Sequence, residues 1–359
     1  MDLQTFNQFL GGAVHAGASD IHFKVGSPPA IRVNGELRPV RLPALAPSDT
    51  ARIAEHVLSF SRYGGDRAQV HEVDTSYAID GVGRFRASVF RQLGHMALIV
   101  RAIPFHVPTL EQLGLPAAVA KLCAEDRGLI LVTGVTGSGK TSTLAAMVNH
   151  LNQTTRKHIV TLEDPVEFVH ADNNARITQR EVGPDTATFA DALRAALRQD
   201  PDVILVGEMR DLETIDIALK AAETGHLVLS TTHTTDAQRT IGRMIGAYSP
   251  DAQAAVRLRV ADALKGTIAQ RLLPRADGRG RALACEILVN TASVVELIRN
   301  AQRTNEITDF LVKGHDIYGT QSFDQHLVWL ARAGVITLDV AREAATNASD
   351  FQRAITLDA

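Results

Sequence analysis

The sequence predicts an α/β protein in which a doubly wound parallel sheet follows a smaller α+β domain. From Leu110 onward, short apolar segments alternate with segments of helical spacing, as in a sheet covered by helices on both faces. Before that point, apolar and polar residues alternate between glycine turns, which indicates strands. Within the α/β stretch, a glycine-rich loop at residues 134–141 connects a strand to a helix. These three observations predict the fold class.

The composition of the chain changes twice along its length. We place an N-terminal domain at residues 1–105, the α/β domain at 106–290 and a C-terminal helical subdomain at 291–359. A short linker at 104–110 separates the first two parts. Its Pro-Phe-His-Val-Pro run at 104–108 disfavours helix and indicates a hinge.

The expected elements follow from periodicity and turn signals. In the N-terminal domain, Asn34 and Gly35 indicate a hairpin turn. Helices are predicted there at residues 6–16 and 51–60, and strands at 21–25, 30–33, 75–79, 83–90 and 96–103. The α/β domain has predicted strands at 129–133, 158–162, 203–206 and 227–231, and helices at 142–151, 188–198 and 213–223. The C-terminal helices are predicted at 293–301, 324–333 and 338–345.

The composition is ordinary for a globular protein. The chain has 359 residues, of which 45% are hydrophobic and 21% charged, and a net charge of −3 argues against a dedicated nucleic-acid binder. No apolar run approaches the ~18 residues that span a bilayer, and no secretory signal is visible. We therefore expect a cytoplasmic protein without a transmembrane segment. Two distant cysteines, Cys123 and Cys285, cannot form a four-cysteine zinc site.

The glycine-rich loop fits the P-loop pattern G-x-x-x-x-G-K-[ST] without a mismatch. Its glycines let backbone N–H groups point at a polyphosphate, and the following helix N-terminus adds positive potential. Lys140 is expected to reach the β- and γ-phosphates, and the Thr141 hydroxyl to ligate Mg²⁺. The chain is therefore predicted to bind a nucleoside triphosphate. The predicted binding residues are Gly134, Val135, Thr136, Gly137, Ser138, Gly139, Lys140, Thr141 and Ser142.

Hydrolysis of ATP also needs acidic groups near Mg²⁺ and the γ-phosphate. Glu208 and Glu163 both follow predicted strands, at the edge where such sheets bind ligands. The Glu208 segment has the character of a Walker B strand, with Gly-Glu where Asp is more usual. We expect one glutamate to orient or deprotonate the attacking water and the other to support the metal through water. The alternatives are a solvated loop acid for Glu208 and a helix cap for Glu163.

Two histidines, His226 and His233, bracket the strand at 227–231. A zinc pair is rejected because no third ligand is nearby. A histidine can hydrogen-bond a γ-phosphate and sense its loss, but spacing alone favours two structural histidines.

Arginines could stabilise the charge that spreads over the γ-phosphoryl oxygens. Arg84 and Arg86 alternate with Phe85 and so share one face of a strand, while Arg198 and Arg210, with Arg194, flank the Glu208 segment. Each is either an arginine finger supplied by a neighbouring subunit or a solvated surface residue.

Several motifs in a fixed order carry a resemblance to a known family. The chain resembles the secretion and type IV pilus ATPases over nearly its whole length, and most closely the PilT/PilU-like pilus retraction motors. The matching segments are residues 18–22 and 28–35 for the N-terminal domain, 134–141 for Walker A, 162–167 for the Asp box, 197–211 for Walker B and 224–235 for the His box.

This resemblance implies a RecA-like P-loop domain, an N-terminal PAS-like domain and a ring of six subunits. It favours Glu163 and Glu208 as the catalytic pair, with Glu208 near Mg²⁺ through water. It also implies that His226 and His233 contact the γ-phosphate, and that Arg84 or Arg86 is a trans-acting arginine. Domain rotation at the hinge would then be the power stroke.

The implied function is an ATP-driven motor that retracts type IV pili by depolymerising pilin, and so drives twitching motility. Its implied partners are an inner-membrane platform protein and a paralogous retraction ATPase, at the cytosolic face of the inner membrane. The absence of a four-cysteine zinc site favours retraction over assembly. However, the run Ser-Val-Val-Glu-Leu-Ile-Arg-Asn at 293–300 keeps only part of the A-I-R-N-L-I-R-E motif of retraction motors. An accessory PilU-like ATPase, an assembly or secretion ATPase and a DNA-uptake motor therefore remain alternatives.

Overall fold

The computed structural model describes residues 1–33, 35–61, 70–103 and 107–357. The chain forms two compact units. The first contains Met1–His106, Asp164–Val169 and Glu181–Ala187, and the second contains Val107–Glu163, His170–Arg180 and Thr188–Ala359. Asn34 of the expected turn and residues 104–106 of the expected hinge lie outside the described residues. The placement of a separate subdomain at 291–359 remains a prediction.

The first unit is built on a six-stranded sheet of order β3-β2-β1-β6-β5-β4. Its strands are β1 (Ala18–Phe23), β2 (Ala30–Val33), β3 (Glu36–Pro39), β4 (Glu72–Ile79), β5 (Gly83–Gln92) and β6 (His95–Ala102). Helices α1 (Leu3–His15) and α2 (Pro47–Leu58) share a hydrophobic core with this sheet. Phe6, Phe23 and Phe85 are fully buried in that core. Apolar burial on one sheet face thus holds the unit together.

All five strands and both helices predicted in this region are present. The additional strand β3 lies at the edge of the sheet, and all four of its residues are exposed. An exposed edge strand has no buried face, so it shows no apolar alternation in the sequence.

The second unit contains a seven-stranded sheet of order β13-β12-β7-β11-β10-β8-β9. Its strands are β7 (Gly128–Thr133), β8 (His158–Glu163), β9 (Arg176–Glu181), β10 (Val203–Val206), β11 (Leu227–Thr232), β12 (Leu264–Pro274) and β13 (Arg281–Val289). Strands β12, β7, β11, β10 and β8 pair in parallel, and β13 pairs antiparallel with β12. The parallel sheet predicted from the four apolar runs is confirmed.

Helices cover both faces of this sheet. Successive residues of β7, such as Leu129 and Ile130, belong to different hydrophobic clusters, as expected for a strand that is buried on both sides. One cluster includes α5 (Phe189–Ala196), α6 (Leu212–Glu223), α7 (Ala237–Gly246) and α8 (Pro250–Ala263); the other includes α3 (Ala117–Cys123) and α4 (Lys140–Thr154). The remaining helices are α9 (Ala292–Arg299), α10 (Ile307–Lys313), α11 (His315–Tyr318), α12 (Phe323–Arg332), α13 (Leu338–Ala344) and α14 (Ala348–Leu357).

Strands β9, β12 and β13 extend the sheet beyond the four strands predicted. The burial pattern of β9 alternates only weakly, because its residues are mostly exposed or half-buried. In contrast, β12 and β13 are largely buried along their length, and their polar residues interrupt the apolar run. Among the described residues, no helix combines the length and the apolar character required to cross a bilayer.

Candidate active site

The P-loop lies between strand β7 and helix α4, as its pattern requires. Gly134, Gly137 and Gly139 adopt positive φ angles of 144°, 80° and 91°. A Cβ atom added to Gly134 would lie 2.5 Å from the Ser138 Oγ and 2.6 Å from the carbonyl oxygen of Gln270. The loop therefore needs glycine for both its backbone conformation and its close packing.

The start of α4 presents backbone N–H groups with no side-chain cap. Its N-cap residue is Gly139, which has no side chain to accept a hydrogen bond. The Lys140 Nζ donates to the carbonyl oxygens of Gly134 and Val135 at 2.8 and 3.1 Å. Ser138 is buried, and its Oγ has no hydrogen-bond partner among the described residues. Uncapped N–H groups, an ammonium group and an unpartnered hydroxyl fit a polyphosphate.

Glu208 follows β10 and is bonded by the side chains of His233 and Arg210. Its Oε1 lies 2.8 Å from the His233 Nε2 and 2.8 Å from the Arg210 Nε. Burial raises the pKa of Glu208, but the hydrogen bond from Arg210 and the charge of His233 outweigh it and hold the pKa below its usual value. Burial lowers the pKa of Lys140, and the charge of Glu208 acts in the opposite direction. Glu208 is thus an ionised carboxylate within electrostatic reach of the P-loop lysine.

The strand ends explain why these groups meet. Val206 of β10 pairs with Leu162 of β8, so Glu208 follows β10 beside the parallel strand that Glu163 ends. A Cβ atom on Gly207 would lie 3.2 Å from the Leu162 carbonyl oxygen, which favours glycine immediately before Glu208. Since the P-loop and His233 also follow parallel strands of this sheet, all of them lie at its carboxyl edge.

Glu163 is half-buried at the end of β8, and a hydroxyl and an amide donate to its carboxylate. Its Oε1 accepts hydrogen bonds from the Thr161 Oγ1 at 2.7 Å and the Gln179 Nε2 at 3.2 Å. These two bonds fix the carboxylate at the carboxyl edge. Glu163 is not the N-terminal cap of any helix in the described chain, so the capping alternative is wrong.

Two predicted site residues, His226 and Arg198, lie at the opposite edge of the sheet. His226 precedes β11 while His233 follows it, a separation of roughly 20 Å for a strand of this length. The His226 Nδ1 lies 3.0 Å from the carbonyl oxygen of Ala221. Arg198 is exposed beyond the end of α5, and the chain continues from it into the amino end of β10. Of the two histidines, His233 lies at the P-loop edge of its own chain and His226 does not. The expectation that both contact a γ-phosphate remains a prediction.

The two arginines of β5 belong to the first unit and differ in their surroundings. Phe85 is fully buried between them, so Arg84 and Arg86 share the opposite face, as predicted. The Arg84 Nη2 donates to the Glu181 Oε2 at 2.5 Å, and Glu181 is 3% exposed. Arg86 forms a longer, exposed pair with Asp74 at 3.5 Å. Arg86 is therefore the more available of the two for an incoming group.

Sequence reasoning missed two buried polar residues that border the site, Gln270 and Glu286. The Gln270 Nε2 donates to the Thr143 Oγ1 on α4 at 2.6 Å. Glu286 accepts a hydrogen bond from the backbone N–H of Ala237 at 2.8 Å. The sequence held one signal, since Glu286 is an isolated charge within the apolar run 282–289.

Oxygen donors at this edge also fit Mg²⁺, which takes one or two protein ligands together with phosphates and water. Thr141 and Ser142 are half-buried on the first turn of α4, and the Glu208 carboxylate lies within electrostatic reach of Lys140. Among the residues that the structure describes, no group of three or more His, Cys, Asp or Glu side chains could hold a metal by itself.

The fold and this edge define a P-loop nucleotide-binding protein with a smaller α+β domain. The profile of the type II/IV secretion system protein family matches residues 3–325, and the chain belongs to this family. The type IV pilus retractation ATPase PilT of Pseudomonas aeruginosa is 41% identical over 344 residues, covering 96% of this chain and 99% of PilT. The type IV pilus ATPase PilU of the same organism is 39% identical over 352 residues, covering 98% of this chain and 91% of PilU.

A solved structure agrees with these relatives. The crystal structure of the pilus retraction motor PilT with bound ADP superposes with a TM-score of 0.86 at 44% identity, covering 97% of this chain and 98% of that one. The family recognised from the motifs is confirmed, as is the fold class of a RecA-like P-loop domain with a smaller N-terminal PAS-like domain. The chain is a nucleotide-binding member of an ATPase family.

Proposed function

We propose that this chain is an ATP-hydrolysing motor subunit that powers type IV pilus retraction. The observation that carries the proposal is the Glu208 carboxylate, bonded to His233 and Arg210 beside an intact P-loop. Similarity over nearly the full length to PilT, whose name describes a pilus retraction ATPase, supports retraction as the work done. The reaction is ATP + H₂O to ADP and phosphate.

In this proposal, the P-loop backbone and Lys140 bind and orient the β- and γ-phosphates. Thr141 and, through water, Glu208 would hold Mg²⁺, which would neutralise charge that develops on the phosphate oxygens. Glu208 remains ionised near neutral pH and can accept the proton of the attacking water. Glu163, held by Thr161 and Gln179, orients that water or the metal's water from the adjacent strand.

His233 links hydrolysis to the Glu208 carboxylate. Its imidazole is half exposed and bonded to Glu208 through Nε2. A γ-phosphate within reach of this imidazole would offer a second acceptor, and its release would return His233 to Glu208 alone. The His233–Glu208 pair is therefore the proposed sensor of γ-phosphate loss.

The remaining basic residues act, in this proposal, between subunits of a homohexamer. His226 and Arg198 lie at the edge opposite their own P-loop, so only another chain's nucleotide could meet them. Arg86, with its weak exposed partner, is the preferred trans-acting arginine, ahead of Arg84. The ring would work at the cytosolic face of the inner membrane on a platform protein, alongside a paralogous ATPase and without binding nucleic acid directly.

An accessory PilU-like role is the second candidate. Helix α9 covers the run in which the retraction motif is incomplete, and Arg299 there pairs with Asp262 at 2.8 Å and with Glu296. The run lacks the first Arg and the final Glu of the retraction motif, so its set of charges differs from that of retraction motors. An accessory subunit would bind ATP and a partner ring but hydrolyse slowly.

The test is the number of surface pili per cell after deletion of this chain from its host. Retraction predicts more pili than in the parent strain together with loss of twitching, and rescue by the wild-type chain but not by Lys140→Ala. Fewer pili would instead indicate assembly or secretion. Unchanged pili, with loss of twitching only under load or in a strain lacking a paralogue, would indicate the accessory role.

A further inference from the structure

We propose that Glu286 of β13 is a positioning residue that holds His233 against Glu208 by anchoring the start of helix α7. The inference rests on the proposed ATP hydrolysis at this site. Glu286 lies on a strand that takes no direct part in phosphate binding. Its effect would therefore pass through the segment that joins His233 to α7.

The contact between Glu286 and α7 is buried. The Glu286 Oε1 accepts from the backbone N–H of Ala237 at 2.8 Å, and the two residues are 7% and 1% exposed. Ala237 is the first residue of α7, whose N–H has no partner inside the helix. The Asp236 cap accepts from the N–H of Arg239 instead. Glu286 thus satisfies a buried donor that the helix and its cap leave open.

Only three residues separate His233 from Ala237, and they are tied at several points. The Thr234 Oγ1 bonds the hydroxyls of Thr232 and Thr240 at 2.8 and 2.7 Å. The Thr240 Oγ1 in turn donates to the carbonyl oxygen of Asp236 at 2.6 Å. A shift of the first turn of α7 would pass directly to His233. Displacements of about 1 Å near reacting groups can cost about a hundredfold in rate.

Glu286 is itself fixed on a hairpin that also touches the P-loop side. Strand β13 pairs with β12 along its length, and Gln270 of β12 bonds Thr143 of α4. The β12–β13 hairpin therefore contacts both α4, which carries the phosphate-binding lysine, and α7, which follows His233. This common support lets Glu286 set the His233 loop relative to the P-loop.

The charges that face Glu286 come from three elements. Asp236 at the start of α7 and Asp324 of α12 are acidic, whereas Arg271 of β12 is basic. Burial raises the pKa of Glu286 to about 7, and the two aspartates act in the same direction. The anchoring oxygen accepts the Ala237 N–H in either protonation state. A glutamine can supply the same acceptor without the charge.

The test compares Glu286→Gln with Glu286→Leu in the full-length protein by steady-state ATP turnover. Leucine removes the acceptor, and we expect kcat to fall at least tenfold with KM for ATP within twofold of wild type. Glutamine keeps the acceptor and is expected to stay within threefold in kcat. Leu330→Ala, a core residue of α12 whose cluster includes Ala282 and Ala284 of β13, is the control for a general loss of stability and is expected to retain turnover below its melting temperature.

A double-mutant cycle separates positioning from a general structural role. If Glu286 acts through His233, adding Glu286→Leu to His233→Ala lowers kcat by less than a further twofold. Three results would each overturn the inference: kcat losses that multiply in the double mutant, a Glu286→Leu variant with the kcat of wild type, or a Leu330→Ala variant that loses as much kcat as Glu286→Leu. Wild-type turnover no higher than that of Lys140→Ala would overturn the proposed function and the inference with it. If wild type turns over ATP normally and Glu286→Leu does so at the same rate, the inference is overturned and the proposed function is not.

Discussion

Glu208 keeps its charge in a half-buried position, where Arg210 and His233 both bond its Oε1. Burial alone would favour the neutral acid, yet the hydrogen bond from Arg210 and the charge of His233 lower the pKa. Glu163 accepts hydrogen bonds from a hydroxyl and an amide at the end of the adjacent strand. We propose that the two carboxylates at this edge perform different tasks.

Glu208→Gln should lower kcat for ATP hydrolysis by more than tenfold, about 1.4 kcal/mol of transition-state stabilisation. Glutamine keeps the shape but cannot accept a proton from water, so ADP affinity should change little. Turnover assays and nucleotide titration measure the two effects. The matched control is Glu213→Gln, an exposed acid paired with Arg194. A loss smaller than tenfold would show that the Glu208 carboxylate is not catalytic.

Glu286 also makes stability depend on pH. Its pKa is raised from 4.5 to about 7 in the folded chain, so the unfolded chain loses this proton first as pH rises. Glu286 makes its full contribution to the free energy of unfolding below about pH 4.5. That contribution, on the order of 3 kcal/mol, is lost as pH rises through about 7. Glu286→Gln lacks this loss, so its melting temperature relative to wild type should rise from pH 5 to pH 8. A difference that stays constant with pH would contradict the assigned pKa.

At the scale of elements, the site depends on strand ends that meet at one edge. The P-loop follows β7, His233 follows β11 and Glu208 follows β10, and these strands are neighbours in parallel register. Hydroxyls of β11 reinforce the end of β10, since Ser230 and Thr231 donate to the carbonyl oxygens of Val206 and Gly207 at 2.6 and 2.7 Å. The sheet thereby aligns residues that are distant in sequence.

Gly134→Ala should abolish nucleotide binding, because its φ is 144° and an added Cβ meets Ser138 and the Gln270 carbonyl. Fluorescent-ADP titration measures the loss. Gly278→Ala is the control, since Gly278 also has a positive φ of 69° but no atom lies within 4 Å of the added Cβ. Normal ADP affinity in Gly134→Ala would show that the loop tolerates a side chain there and would undo the packing argument.

The Arg84–Glu181 pair connects separate chain segments within the first unit. Glu181 also accepts from the Val166 N–H at 3.1 Å and from the Ser76 hydroxyl. Removing Arg84 leaves a buried carboxylate unpaired, so Arg84→Met should destabilise the chain by about 3 kcal/mol. Adding Glu181→Gln should recover part of that loss in chemical denaturation. Additive losses would show that the two side chains are not coupled.

At the scale of the whole molecule, the trans-acting roles proposed for His226 and Arg198 require assembly. Both lie at the edge opposite the P-loop of their own chain, so their proposed roles need a second copy. Native mass spectrometry with a non-hydrolysable ATP analogue should give six times the chain mass. If the chain stays monomeric at working concentrations with nucleotide bound, the trans-acting roles of His226, Arg198 and Arg86 would all fail together.

Much of the fold was predictable because it depends on local signals. Apolar runs marked β7, β8, β10 and β11, and the glycine pattern located the P-loop between β7 and α4. Strands β3, β9, β12 and β13 were not predicted. The residues of β3 are exposed, and those of β9 alternate only weakly in burial. In β12 and β13, polar side chains interrupt the apolar run.

The sequence by itself determined the α/β class, the P-loop, the two candidate glutamates and the family, because each depends on short contiguous motifs. Only the tertiary structure decided which of those residues share one site. Strand direction places His233 at the P-loop edge and His226 at the other end, and packing pairs Arg84 with a carboxylate almost a hundred residues away. The contact of Glu286 with the start of α7 was likewise visible only in the tertiary structure. Contacts between residues distant in the chain are set by sheet order and burial, and local patterns do not encode them.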